Sequence, residues 1–183
     1  MKVKATNKSR KVVVELDRKD RAVIGSPAGP RHPLFRLKRI LVPVDFSDCS
    51  RKALRYAIPF AREFGASISL LSIVHVPYHG SDFEGISLPM LESELRSSAA
   101  KQLEAMAAKE LPAEISRDTT VRVGRPFHEI VEAAREGNAD LIILATHGHT
   151  GLKHMLLGST AENVVRHASC PVLIVREQEH EFV

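Results

Sequence analysis

Residues 141–160 read LIILATHGHTGLKHMLLGST, an apolar strand that runs into a glycine-bearing loop and ends at a helix start. Leu141 to Leu144 form a continuous apolar run, which predicts a strand covered by helices on both faces, since a half-wet strand would alternate. Gly148 and Gly151 let the backbone turn tightly or approach a ligand without a Cβ in the way. Gly158-Ser159-Thr160 precede AENVVRHA, whose first-turn Glu162 and apolar Val164 and Val165 predict a helix beginning near Ser159. Unpaired amides at such a start attract anions, so this layout is that of a parallel α/β sheet holding phosphate.

Outward from this stretch the chain alternates. Ile40, Leu41, Val42 and Val44 make a first buried strand that ends at Pro43-Val44-Asp45-Phe46. Ser47 or Asp48 can cap a helix carrying Ala53, Leu54, Ala57, Ile58, Ala61 and Phe64 at helical spacing, stopped by Gly65, with a kink expected at Pro59. Residues 67–76 read as a second strand, and 77–89, with Gly80 and Gly85, as a loop long enough to line a site. An amphipathic helix follows over 90–110, then a strand over 119–123, a helix over 126–136, the quoted stretch, and a last strand from Pro171 to Val175.

Five strands alternating with four helices predict an α/β fold: a doubly wound five-stranded parallel sheet with right-handed crossovers and helices on both faces. Ligands of such sheets sit beyond the carboxyl ends of the strands, where strand order reverses. If the first and fourth strands are neighbours, Asp45 and the loop from Ala145 to Gly148 face one crevice. A carboxylate beside a phosphate loop suits a ribose, because the anion accepts the sugar hydroxyls while amides hold the phosphates. The plainer role for Asp45 is to cap the following helix.

Composition bounds the rest. The 183 residues are 44% hydrophobic and 26% charged, enough for one domain with an appendage. No apolar run approaches the roughly 20 residues of a membrane helix, and no hydrophobic segment follows the basic start, so neither a membrane span nor a secretory signal is expected. Cys49 and Cys170 form no CxxC pair and fit reduced thiols in a cytoplasmic protein.

The net charge of +4 conceals an asymmetry. Residues 1–39 carry 12 Lys or Arg against Glu15, Asp17 and Asp20, a net +9, which leaves 14 basic against 19 acidic residues, a net −5, for the remainder. The chain therefore divides into a basic, flexible extension over 1–37, a folded domain over 38–177 and a short tail over 178–183. Within the extension, Val12 to Val14 with Leu16 could pair as an edge strand, while Gly25, Pro27, Gly29, Pro30 and Pro33 break anything longer. Such an arm could touch nucleic acid, but no aromatic platform or recognised binding motif accompanies the charge.

Other chemistries find less support. His147 and His149 flank Gly148, yet two His without a nearby Cys or carboxylate make a poor zinc set, and no metal site is predicted. His149 reads better as a loop residue near phosphate. Neither a Walker A lysine nor a GxGxxG pattern is present. Ser159 lacks a visible base, and Asp48 opposes activation of Cys49, so no catalytic residue is assigned.

RILVPVDFS at 39–47, SLLSIVHV at 69–76 and ATHGHTGLKHMLLGSTAENVVRHASCPVLIV at 145–175 together resemble the universal stress protein family. The resemblance spans about residues 38–176 in the family's order. It implies the Rossmann-like, adenine nucleotide hydrolase-like sheet and a nucleotide-dependent stress-response or signalling protein. ATP-binding members carry Gly, two residues, Gly, nine residues, then Gly with Ser or Thr; here Gly148, Gly158 and Ser159 fit, and Ala145 replaces the first glycine.

By this resemblance Pro43, Val44 and Asp45 line an adenosine pocket, with Asp45 on the ribose. Val76 offers its backbone to adenine, and Leu144 and Ala145 lie against the nucleoside. Gly148, Gly158, Ser159 and Thr160 hold the phosphates of ATP, with Mg2+ or Mn2+ on those phosphates. The resemblance also implies a homodimer formed through the last strand. The alternatives are a slow ATP hydrolase using the same site and a nucleotide-free interaction module.

Overall fold

The apolar runs of the central strands divide their side chains between two cores. Ile40 and Val42, Ile68 and Leu70, and Leu141 and Ile143 join one buried cluster, while Leu41, Leu71, Ile142 and Leu144 join another. Successive side chains leave a strand on opposite faces, so each run feeds two cores. The computed structural model describes residues 2–5, 12–15, 36–76, 88–146 and 157–176. It divides the chain into two units, Met1–Arg36 and Leu37–Val183.

In the first unit, β1 (Lys2–Ala5) pairs antiparallel with β2 (Val12–Glu15), Lys2 opposite Glu15 and Ala5 opposite Val12. Val12 to Val14 do pair, but within their own two-stranded sheet.

The second unit runs β3 (Arg39–Pro43), α1 (Asp48–Phe64), β4 (Ser67–Val74), α2 (Leu88–Glu110), β5 (Arg117–Val123), α3 (Pro126–Glu136), β6 (Leu141–Ala145), α4 (Ser159–His167) and β7 (Val172–Val175). The sheet is parallel, in the order β5-β4-β3-β6-β7. Leu54 and Ala57 of α1 and Leu103 and Ala107 of α2 pack in the first cluster; Ile130 and Ala134 of α3 and Ala161 and Val164 of α4 pack in the second. The chain thus winds outward one way with helices on one face and back the other way with helices on the opposite face. Each fully buried Leu or Ile contributes about 2 kcal/mol of apolar burial.

Helix boundaries follow local chemistry. Ser47 is the N-cap of α1, its Oγ accepting from the Ser50 amide at 3.2 Å. Gly65 ends α1 with φ 65°, a left-handed turn that glycine enters without a Cβ penalty. The helix runs through Pro59, which cannot donate to the Arg55 carbonyl. Strand β5 begins two residues before the expected start because Arg117 and Asp118 pair with Ile68 and Ser69 despite their polarity. Strand β4 ends at Val74, two residues earlier than expected.

At their amino ends the two central strands are fastened together. Asp140 Oδ2 accepts from the Lys38 and Arg39 amides at 2.8 and 2.9 Å, and the Asp140 amide donates to the Arg39 carbonyl at 2.9 Å.

Candidate functional site

At their carboxyl ends the same two strands part. Pairing between β3 and β6 stops at Leu41 and Ile142, whereas β3 stays paired with β4 to Pro43 and Leu71, and β6 with β7 to Ala145 and Val175. The chain leaves β3 toward β4 on one side and reaches β6 on the other, so this opening lies where strand order reverses. Crevices of doubly wound sheets form at such points.

On one side of the opening stand Pro43, Val44 and Asp45. Pro43 ends β3 and is buried; Val44 is buried, and its amide donates to the Leu71 carbonyl at 2.8 Å. Asp45 is half-buried, and its Oδ1 accepts from the Ser47 hydroxyl at 2.6 Å and the Ser47 amide at 3.1 Å. The carboxylate therefore does not cap α1 itself; it holds the residue that does. Between them Phe46 takes φ 67°, a conformation uncommon for a side chain of this size, while its ring packs on the core.

On the other side, Ala145 ends β6 in register with Val175 and does not share the positive φ of Phe46 and Asn138. It asks for no glycine-only conformation, so alanine serves here without backbone strain. Thr146 follows, only 3% exposed; its amide donates to the Val175 carbonyl at 2.9 Å and its carbonyl accepts from the Gly158 amide at 2.9 Å. Nothing in the residue types of the loop marks Thr146 as this fastener, because the bonds are made by its backbone.

Gly158 is the N-cap of α4 with φ −71° and ψ 153°, and no side chain caps the first turn among the described residues. Ser159 is exposed and Thr160 half-buried at the helix start. The Gly158 amide is engaged with Thr146, so an anion here would meet the amides of Ser159, Thr160 and Ala161. The acid in this turn, Glu162, is paired with Arg166 one turn further on at 2.8 Å, which offsets its charge near the helix start.

Leu144, 4% exposed, packs in the second cluster. Val76 lies two residues beyond β4 and is half-buried. His147, Gly148 and His149, and the 77–87 loop, lie outside the described residues. The structure thus brings Pro43, Val44, Asp45, Leu144, Ala145, Gly158, Ser159 and Thr160 to one end of two adjacent strands, with Val76 one strand further out.

No group of three or more His, Cys, Asp or Glu able to hold a metal occurs among the described residues. Neither cysteine is in a disulfide, and burial, followed by the Asp140 charge, raises the Cys170 pKa, keeping that thiol protonated. No helix among the described residues is long and apolar enough to cross a membrane.

Residues 36–176 match the model of the Universal stress protein family. Universal stress protein MJ0531 of Methanocaldococcus jannaschii is 37% identical over 145 residues, covering 79% of this chain and 85% of its own. Universal stress protein YxiE of Bacillus subtilis is 34% identical over 152 residues, covering 75% of this chain and 98% of its own. Among solved structures, that of M. jannaschii MJ0577 superposes with a TM-score of 0.69 at 28% identity, over 80% of this chain and all of the other. That of UspA from Lactobacillus plantarum gives 0.60 at 28% identity, over 78% and 99%.

Proposed function

The chain belongs to the universal stress protein family, and from that premise we propose that it is a nucleotide-dependent signalling protein that binds ATP in the crevice between β3 and β6. The observation that carries this reading is a juxtaposition. Asp45 and the uncapped first turn of α4 stand at the carboxyl ends of two adjacent strands, where the ladder joining those strands has already ended.

The residues suit the parts of the nucleotide. The Asp45 carboxylate accepts ribose hydroxyls, a charge-assisted contact stronger than a neutral one. The amides of Ser159 and Thr160, with their hydroxyls, meet phosphate oxygens at the positive end of the α4 dipole. Gly158 leaves room for close approach, and Gly148 and His149 belong to the same loop. Pro43, Val44, Leu144 and Ala145 flank the nucleoside, and the Val76 main chain meets adenine. Mg2+ or Mn2+ would be carried on the phosphates.

The reading extends to a cytoplasmic homodimer joined through β7. Its two sheet edges differ: β5 carries Arg117, Asp118 and Arg122, charges that discourage edge pairing, whereas β7 reads VLIV and leaves Val172, Leu173 and Ile174 half-buried. Sedimentation should give twice the 20.2 kDa of one chain, and a monomer at all concentrations would remove this part. Two cysteines outside any disulfide fit a reducing compartment.

Mass spectrometry of the purified, denatured chain tests the nucleotide itself. Co-purified adenine nucleotide is expected, displaced in a Gly158→Val variant. Absence of nucleotide, together with failure of added ATP to bind, would leave a nucleotide-free module.

A further inference from the structure

The geometry points to His75 as a positioning residue of the same crevice: its imidazole ties the backbone leading from β4 to Val76 onto the Gly124 carbonyl. This inference rests on the reading of Val76 as the main-chain contact to adenine.

Strand β4 ends at Val74, paired with Val123 of β5. Two contacts carry the attachment further. The Gly124 amide donates to the Val74 carbonyl at 3.1 Å, and His75 Nδ1 lies 3.1 Å from the Gly124 carbonyl. A carbonyl can only accept, so Nδ1 carries the proton, and in the neutral ring Nε2 is then the acceptor. Gly124 is bonded through both its amide and its carbonyl, and Val76 is the next residue after the side chain that holds it.

Gly124 is a fixed post. It takes φ 153°, which side chains rarely adopt, and a Cβ built there would lie 2.7 Å from Glu129 Oε1 and 2.9 Å from Glu129 Cγ. The Glu129 side chain from α3 therefore covers the glycine, and it is held in turn by Arg122 of β5 at 3.7 Å. His75 is exposed and adds nothing to either buried cluster. Its described polar contact serves to fix the chain next to Val76.

The full chain, with His75→Ala and His75→Asn, tests this at pH 8. In the nucleotide-free protein, long-range proton–nitrogen spectra should give His75 as the Nδ1–H tautomer, and an Nε2–H tautomer overturns the contact. His75→Ala should weaken ATP binding by about tenfold and narrow the preference for ATP over GTP, with little change in melting temperature. Asn places an amide donor near the position of Nδ1 and should restore both. Equal affinity and preference in His75→Ala, or an Asn variant no better than Ala, overturns the inference while ATP binding by the wild type leaves the crevice reading intact. A wild-type chain with the Nδ1–H tautomer that binds no adenine nucleotide overturns both.

Discussion

The Gly158 amide donates to the Thr146 carbonyl at 2.9 Å, and this one bond closes the base of the loop that joins β6 to α4. Because Thr146 is also bonded to Val175, the first turn of α4 is tied to the sheet. The φ and ψ of Gly158 are open to any residue, so a side chain there adds bulk without backbone strain. Gly158→Val should keep the fold, at a cost of about 1 kcal/mol as a poorer N-cap. ATP affinity should fall by at least about tenfold. Melting curves and titrations of the same variant read the two effects separately; wild-type affinity in the folded variant would count against the phosphate assignment.

Asp45 has two separable tasks. Asp45→Ala removes the acceptor for both the Ser47 amide and hydroxyl, and should cost about 1–2 kcal/mol in denaturant unfolding. Asp45→Asn keeps a side-chain oxygen for Ser47 and should cost less, yet lose the charge offered to the ribose. Both variants should bind ATP more weakly than wild type. Equal stability in Ala and Asn would contradict the role of Oδ1 in the turn.

Two glycines with positive φ should behave differently when replaced by alanine. At Gly65 a Cβ meets nothing within 4 Å, so Gly65→Ala should cost only the conformational term, about 1 kcal/mol. At Gly124 the Cβ also meets Glu129, and Gly124→Ala should cost about 2 kcal/mol or more. Adding Glu129→Ala should recover part of the Gly124 loss and none of the Gly65 loss. A double-mutant cycle measures this, and additivity at Gly124 would refute the contact.

The exposed pair Arg122–Glu136 sets one pH effect. The hydrogen bond and then the charge of Arg122 lower the pKa of Glu136 below its ordinary 4.5. A folded value below the unfolded one means the contribution is present at neutral pH and lost as pH falls through the lowered value. Wild type and Glu136→Gln should therefore differ slightly in stability at pH 7 and converge on acidification. The gap should also shrink with added salt. A gap that widens in acid would reverse the sign of this account.

Much of this was legible in residue types. Continuous apolar runs at 40–44, 141–144 and 171–175 betray buried parallel strands, and Gly-Ser-Thr before an amphipathic helix marks the start of α4. Ala145 takes no positive φ, which residue type alone could not disclose. What stayed hidden was made by backbone or by position: Arg117 and Asp118 joining β5 through register, the Thr146 fastener, and Lys2 to Ala5 as partner of β2. His75 lies one residue beyond β4 and is exposed, and only the meeting of β4 with the β5–α3 turn gives it a partner.

Calorimetric titration of the full chain with ATP and Mg2+ tests the central claim most directly. Saturable binding near one ATP per chain, weakened in both Gly158→Val and Asp45→Asn, is the predicted result. A folded wild-type chain that gives no binding heat with ATP at several temperatures, and carries no nucleotide already bound, would contradict it.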